Sequence, residues 1–439
     1  TLHPRIHGGI LADRSKDDHN ADLAAQDITP IDLVACNLYP FSSQREIEMI
    51  DIGGPTMVRA AAKNHAHVAI VVDPADYGPV LDEIRTESTV TAETRRRLAR
   101  SAFAHTAAYD AAIVEWFDEE DGLSLPPTLH LALERAEGEL RYGENPHQRG
   151  ARYRNIGAQS WLDTVEQHGG MALSYLNLYD AEAAWRIVHD LGDQPACAII
   201  KHANPCGAAV ASDLATAYQL AFDCDQRSAF GGIVAVNRVI DDATCTEIEA
   251  AAQADVIIAP GYDEGVLERL AKKRKNTRLL TAEAPEAVTR DWRQIGGGFL
   301  VQDPHHFEAG RDAWRVVTKV APTDDQWRDV ELAWRICGHV KSNAIVLVAN
   351  GQAVGIGAGQ QNRVEAGQIA AQKADGRAKG GACASDAFYP FPDGIEAAAA
   401  AGVGVVIQPG GALHDDEVIA KADELGVAMV FTGERHFLH

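Results

Sequence analysis

Paired cysteines, positive charge and long apolar runs are all scarce in this 439-residue chain. Its seven cysteines (Cys36, Cys197, Cys206, Cys224, Cys245, Cys337, Cys383) are scattered singly, with no C-x-x-C pair. That argues against a structural zinc site and for reduced thiols. Lys and Arg number 40 against 63 Asp and Glu, a net charge of −23. The extended basic surface that a phosphate backbone requires is missing, so nucleic acid is not expected as a partner. Small anions stay possible wherever a few Arg or Lys residues converge. The longest nearly continuous apolar run, Ala397 to Ile407, falls well short of the roughly 20 residues that cross a bilayer. No membrane segment is expected. Thr1-Leu2-His3-Pro4 has no basic-then-apolar leader pattern, and the expected compartment is the cytoplasm.

The remaining composition is that of a soluble globular protein, long enough for two to four domains of roughly 100–200 residues each. The first residues, through Ile10, read like the middle of an element, with neither strand nor cap before them. Ile31 to Cys36 reads as a strand, and Gly53-Gly54-Pro55 leads into a helical pattern carrying Lys63. Glycines before a helix start can aim N–H groups at an anion, or can simply make a tight turn. Val68 to Val72 is the next strand, and Thr91 caps a long helix whose Arg95-Arg96-Arg97 reads as a solvated face. The run Asp118 to Gly122, followed by Pro126-Pro127, is the best domain boundary. It gives domains of 1–127 and 128–439.

Past that boundary strands and helices alternate, which argues for α/β architecture. Asp180 is read as capping a helix that Gly192 ends, and Ala196 to Ile200 as a buried strand leading to Lys201-His202. A helix follows near Asp213 to Phe222, then strands at Ile233 to Val236 and Asp255 to Ala259. Three echoes suggest two similar α/β halves: Ala198-Ile199-Ile200 with Ala344-Ile345-Val346, Ser228-Ala229-Phe230 with Ser385-Asp386-Ala387-Phe388, and Val256 to Gly261 with Val405 to Gly410.

Candidate chemistry gathers at strand ends and turns. A cation beside an imidazole at Lys201-His202 suits proton transfer, although both could be polar residues closing a strand. Arg141 and Arg363 offer guanidiniums for a phosphate, and Asn343 offers an amide for an amide-bearing substrate. Each also has a structural reading, and the histidine at the chain's extreme end reads as a frayed terminus. Gly355-Ile356-Gly357-Ala358-Gly359 lacks the G-x-G-x-x-G spacing, and Asn350-Gly351 before it reads as a hairpin turn. Pro205-Cys206 lacks the second Cys and the His-x-Glu of zinc deaminases. No metal is expected.

Taken together, Arg141 to Gln148, Lys201-His202-Ala203-Asn204-Pro205-Cys206-Gly207, Ser228 to Gly232, Gly355 to Gln360 with Arg363, and Ser385 to Asp393 closely resemble the bifunctional purine biosynthesis proteins. That family combines AICAR formyltransferase with IMP cyclohydrolase, and the resemblance runs in order over the whole chain. It implies a second domain of two cytidine-deaminase-like α/β halves without zinc, transferring formyl from 10-formyltetrahydrofolate to the AICAR amine. His202 would be the base, Lys201 the oxyanion partner, and Asn343 the holder of the carboxamide. Arg141, Tyr142, Gly231, Asp255, Arg363 and Arg435 would bind the nucleotide. Phe388, Asp393 and Phe437 would line the site, with Phe388 toward the folate. The first domain would be a methylglyoxal-synthase-like cyclohydrolase closing formyl-AICAR to IMP, with Asn37, Tyr39, Asp51 and Lys63 in its site. The family's first strand and phosphate loop are absent before Thr1, so the domain as given is expected to be N-terminally incomplete: cyclohydrolase is expected to be lost or crippled if the polypeptide starts there, and kept if its start has only been trimmed. A homodimer sharing its sites is implied as well. The competing reading from another class is a nucleotide-binding module without turnover.

Overall fold

The computed structural model describes residues 2–136 and 138–439. The chain divides into two compact units. The first holds Thr1–Glu134 with Tyr153–Ala158 and Trp292–Gln302, and the second holds Arg135–Arg152, Gln159–Asp291 and Asp303–His439. Among the described residues no helix is long and apolar enough to cross a membrane.

In the first unit, helix α1 (Pro4–Leu11) has its own cap, because His3 Nδ1 accepts the Arg5 N–H at 3.2 Å. The opening residues therefore begin an element instead of interrupting one. Strands β1 (Leu33–Ala35) and β2 (Ala69–Val71) pair in parallel around helix α2 (Gly53–Lys63), and Val58, Ala61, Val68 and Ile70 form the core there. Thr91 caps helix α3 (Ala92–Glu120), its hydroxyl accepting from the Thr94 N–H at 3.3 Å. Arg95 is not a solvated residue. Its guanidinium is spent on the carbonyls of His65, Val90 and Ala66, tying the helix start to the preceding loops.

The second unit is built on one twelve-stranded mixed sheet. Its first half supplies β3 (Glu166–Gly169), helix α4 (Tyr175–Asp190), β4 (Ala196–Lys201), β5 (Asn204–Val210), helix α5 (Leu214–Cys224), β6 (Ile233–Val236), β7 (Val256–Ala259) and β8 (Arg278–Thr281). Its second half supplies β9 (Arg315–Val316), helix α6 (Asp324–Gly338), β10 (Ile345–Ala349), β11 (Gln352–Gly357), helix α7 (Arg363–Ala374), β12 (Ala382–Ser385), helix α8 (Asp393–Ala400), β13 (Val405–Gln408) and β14 (Ala428–Phe431). The spatial order is β9-β14-β13-β12-β10-β11-β5-β4-β6-β7-β8-β3, the same sequence of equivalents read outward from the β11–β5 seam. Helices α4 and α6 open on matching capping boxes, Ser174 with Asn177 and Thr323 with Gln326, and both bury a tryptophan, Trp185 and Trp334. Asp180 thus lies inside α4 and does not cap it.

Two of the three echoes fall on equivalent strands. The Ser228 and Ser385 segments do not, since Ser228 sits in a short helix before β6 whereas Ser385 ends β12. The glycines of β11 pack a helix tightly: a Cβ on Gly355 would stand 2.0 Å from the Ala370 carbonyl oxygen, and one on Gly357 1.9 Å from that of Ala366. Gly207 of β5 meets the Ala221 carbonyl of α5 in the same way. Close helix–strand approach, and not a nucleotide loop, is what the glycine run provides.

Candidate active site

The Lys201-His202 pair sits at a hairpin and not in a loop leading to a helix. Lys201 pairs with Asn204 across a two-residue turn, with His202 at φ 57° and Ala203 at φ 54°. Left-handed backbone at both central positions defines a type I′ turn, which favours Asn-Gly. Asn350-Gly351, joining β10 to β11, meets that preference at φ 55° and 77°. His202-Ala203 does not, and each non-glycine residue in this region costs about 1–2 kcal/mol. Strain concentrated at one turn points to a constraint imposed by function.

Two groups hold the turn, and Lys201 ties the strand before it to the segment ahead of β6. The carboxylate of Asp180 on α4 accepts the Ala203 N–H at 2.8 Å. Burial raises the Asp180 carboxyl, opposed first by the Ala203 N–H. Asn204 donates from Nδ2 to the His202 carbonyl at 3.2 Å. Lys201 Nζ donates to the carbonyls of Phe230 at 3.2 Å and Gly231 at 2.9 Å, which uses two of its three hydrogens and leaves one for a ligand. Gly231, at φ 65°, has Asp255 beside it: a Cβ there would lie 3.2 Å from Lys201 Nζ and 3.7 Å from Asp255 Oδ1. The His202 side chain is exposed.

A second cluster is built by the other half. Arg363, the first residue of α7, donates from Nη2 to Asn343 Oδ1 at 2.7 Å and from Nη1 to Ser385 Oγ at 2.9 Å and to Asp386. The Asp386 side chain is 0% exposed and that of Arg363 is 11% exposed. Asn343 Nδ2 donates to the Gln360 carbonyl at 2.8 Å, so its amide is held at both ends. Ser342 Oγ donates to Asp386 Oδ2 at 2.6 Å and accepts the Leu438 N–H at 3.1 Å. His436 is 3% exposed and its N–H donates to the Asp386 carbonyl, so the chain's end is stitched into this cluster and is not frayed.

Asn204 joins the two clusters, its Oδ1 accepting the Lys341 N–H at 3.0 Å. The structure therefore brings together Lys201, His202, Gly231, Asp255, Asn343 and Arg363. Arg435 lies over the Phe437 ring at 4.4 Å, on the terminal segment next to Leu438. Phe388 and Phe437 are partly exposed aromatics, and Asp393 opens α8 with its Oδ1 on the Gly394 N–H at 2.8 Å. Arg141 stacks over Tyr142 at 5.4 Å in a segment folded on itself through Gly143 N–H to the Gln148 carbonyl, apart from both clusters in its bonding. Sequence reasoning missed Asp180, Asn204 and Asp386 as site builders. The signal for Asp386 was its place in the Ser385 to Asp393 motif. Cys206, inside the Lys-His motif, is a buried β5 residue whose thiol burial pushes up to about 12.

In the first unit Asp51 bridges Tyr39, another of the expected residues, and α2. Its Oδ1 accepts the Gly54 N–H at 2.7 Å, and its Oδ2 accepts the Tyr39 N–H at 3.3 Å. The anion at this helix start is the protein's own carboxylate. Tyr39 and Asn37 are exposed beside it. Lys63 is also exposed but ends α2, about 15 Å along the axis from Gly53 at 1.5 Å per residue.

A family model, the AICARFT/IMPCHase bienzyme, matches residues 61–373. The chain is 48% identical over 463 residues to the bifunctional purine biosynthesis protein PurH of Roseobacter denitrificans, covering 100% of this chain and 87% of that protein. It is 50% identical over 464 residues to the protein of the same name from Sorangium cellulosum, with 100% and 88% covered. The Bacillus subtilis protein of that name is 45% identical over 453 residues, with 100% and 87% covered. With its whole length aligned to such relatives, and with an α/β unit centred on one large sheet, the chain belongs to the AICARFT/IMPCHase bienzyme family.

Proposed function

We propose that residues 128–439 transfer the formyl group of 10-formyltetrahydrofolate to the amine of AICAR, and that residues 1–127 carry the closure of formyl-AICAR to IMP. These are the two activities of the family, successive steps in making purine nucleotides. The observation that carries the transferase reading is the junction at Asn204, which ties the Lys201-His202 turn to the Asn343-Arg363 cluster.

In the transfer, the AICAR amine nitrogen bonds to the formyl carbon as His202 takes an amine proton, and the carbonyl oxygen becomes an oxyanion. The remaining Lys201 hydrogen faces that charge. Collapse breaks the bond to the folate nitrogen, which leaves with a proton as tetrahydrofolate. Asn343, fixed by Arg363 and the Gln360 carbonyl, has one amide hydrogen and one lone pair to offer the carboxamide. Arg141, Tyr142, Gly231, Asp255, Arg363 and Arg435 are assigned to the nucleotide. Phe388, Asp393 and Phe437 are assigned to the folate side. The mirrored strand order supports reading this domain as two cytidine-deaminase-like halves. Ring closure is assigned to Asn37, Tyr39, Asp51 and Lys63 on a methylglyoxal-synthase-like domain. A cytoplasmic homodimer is the assembly proposed.

The test is absorbance of 10-formyltetrahydrofolate turning to tetrahydrofolate with AICAR present, for wild type and His202→Ala. Loss of turnover with AICAR binding retained is expected. No AICAR-dependent absorbance change in the wild type would favour a binding module without turnover, and unchanged turnover in the variant would remove His202 as the base.

A further inference from the structure

The two halves of the large sheet carry the same device twice. Asp180 on α4 accepts the Ala203 N–H of the His202-Ala203 turn at 2.8 Å, and Asp329, at the matching point of α6, accepts those of Asn350 at 2.9 Å and Gly351 at 2.8 Å. Each aspartate is a helix residue reaching over a type I′ turn at the end of the central hairpin of its own half. The turns differ in what they need. Asn350-Gly351 adopts left-handed backbone readily, so Asp329 only reinforces a conformation that the residues already favour. His202-Ala203 resists it. The imidazole direction depends on that backbone, because a side chain leaving a left-handed residue points away from where the extended or helical conformer would send it.

We propose that Asp180 is a positioning residue for formyl transfer, clamping the strained His202-Ala203 turn so that the His202 ring and Lys201 ammonium present together. It touches the turn's backbone and not the reacting atoms. The carboxyl is half-buried, which raises its pKa, and the Ala203 N–H it accepts offsets part of that desolvation cost. This inference rests on the assignment of His202 and Lys201 to the transfer.

Asp329 is the built-in control, since its removal breaks the same kind of contact away from Lys201 and His202. The experiment compares Asp180→Ala, Asp180→Asn, Asp329→Ala and His202→Ala in the intact protein by melting temperature and by kcat and KM for AICAR. Asp180→Ala should lose about 100-fold in kcat, the size expected of a displacement near 1 Å, with KM changed less than about twofold. Asp180→Asn, which keeps one accepting oxygen, should recover part of the loss and covers the case in which the alanine variant does not fold. Asp329→Ala should melt lower by a similar amount while retaining wild-type kcat. Equal kcat losses in the two alanine variants would make the effect one of stability and overturn the proposal. So would wild-type kcat in both Asp180 variants beside an inactive His202→Ala, leaving the site reading intact. An active His202→Ala would instead overturn the site reading itself.

Discussion

Asp386→Asn isolates the electrostatic term that holds the Asn343 cluster. The exchange keeps side-chain volume, so no cavity is opened, and the amide oxygen can still accept from Ser342 Oγ, now 2.6 Å from Asp386 Oδ2. What disappears is the carboxylate paired with the Arg363 guanidinium, in a place where the Asp386 and Arg363 side chains are 0% and 11% exposed. Breaking one partner of a buried pair costs about 3–5 kcal/mol. Unit charges about 4 Å apart at an effective dielectric of 20 interact by about 4 kcal/mol, the same size. Each kcal/mol lowers the melting point of a unit this large by roughly 2–4 °C, so a fall of roughly 6–20 °C is expected. Activity should fall with it, because Arg363 Nη2 fixes the Asn343 amide. Thermal unfolding and formyl transfer are measured on Asp386→Asn, Arg363→Met and the double variant, as a cycle. In the methionine background no guanidinium awaits a partner, so the asparagine exchange should cost little. A melting point within about 2 °C of wild type for Asp386→Asn, or an equal loss in both backgrounds, would refute the reasoning.

The other expectations concern packing, thiols and protonation. Gly357→Ala places a Cβ 1.9 Å from the Ala366 carbonyl oxygen and should cost more than about 4 kcal/mol in urea unfolding. Gly367→Ala, on α7 with open space around it, should be neutral or stabilising by up to about 1 kcal/mol, and similar losses in both would sink the packing argument. Burial pushes the Cys206 and Cys224 thiols up to about 12 and Cys383 up to about 11, so at pH 8 a disulfide reagent should label Cys36 alone in the folded protein and all seven cysteines in denaturant. Rapid native labelling of a second thiol would contradict this. Burial, then His436 and His339, pushes the His305 imidazole down to about 4, against about 6.5 in the unfolded chain. Between those values the unfolded state holds the extra proton, so this stabilisation is complete above about pH 6.5 and is lost as pH falls toward 4. His305→Gln should flatten the pH dependence of urea unfolding in that window, and an unchanged slope would refute it.

Much of the fold was legible because it is periodic. Thr91 and the apolar stripe after it gave α3, and Ile233 to Val236 gave β6 to the residue. The hairpin carrying Lys201-His202 was not legible, because its turn residues contradict the turn. Nothing in His-Ala signals left-handed backbone, whereas Asn350-Gly351 does. Pro205 and Gly207 then made β5 read as loop. Both are accommodated: the register shifts between Ile199 and Ile200, so Pro205 sits at a bulge, and Gly207 lets α5 approach. The cap assigned to Asp180 failed for a related reason. Ser174, three residues before Asn177, carries the stronger capping signal, and the aspartate is free to reach toward the turn.

The duplicated sheet carries its polar groups asymmetrically. Equivalent frames present different residues: Lys201-His202 stands where the second half has Ala349-Asn350, and Arg363 opens α7 where Leu214 opens α5. The frame is shared, as the paired capping boxes, tryptophans and turn-clamping aspartates indicate. The polar groups are not. The halves meet at the β5–β11 seam, where Gln352 pairs with Ala209, and the Asn204 side chain accepts the Lys341 N–H, so the imidazole and ammonium of the first half are linked to the segment that carries the amide of the second. The strain at His202-Ala203 belongs to the same asymmetry: an Asn-Gly turn would be the relaxed solution for the frame, and the first half gives it up to set an imidazole beside an ammonium.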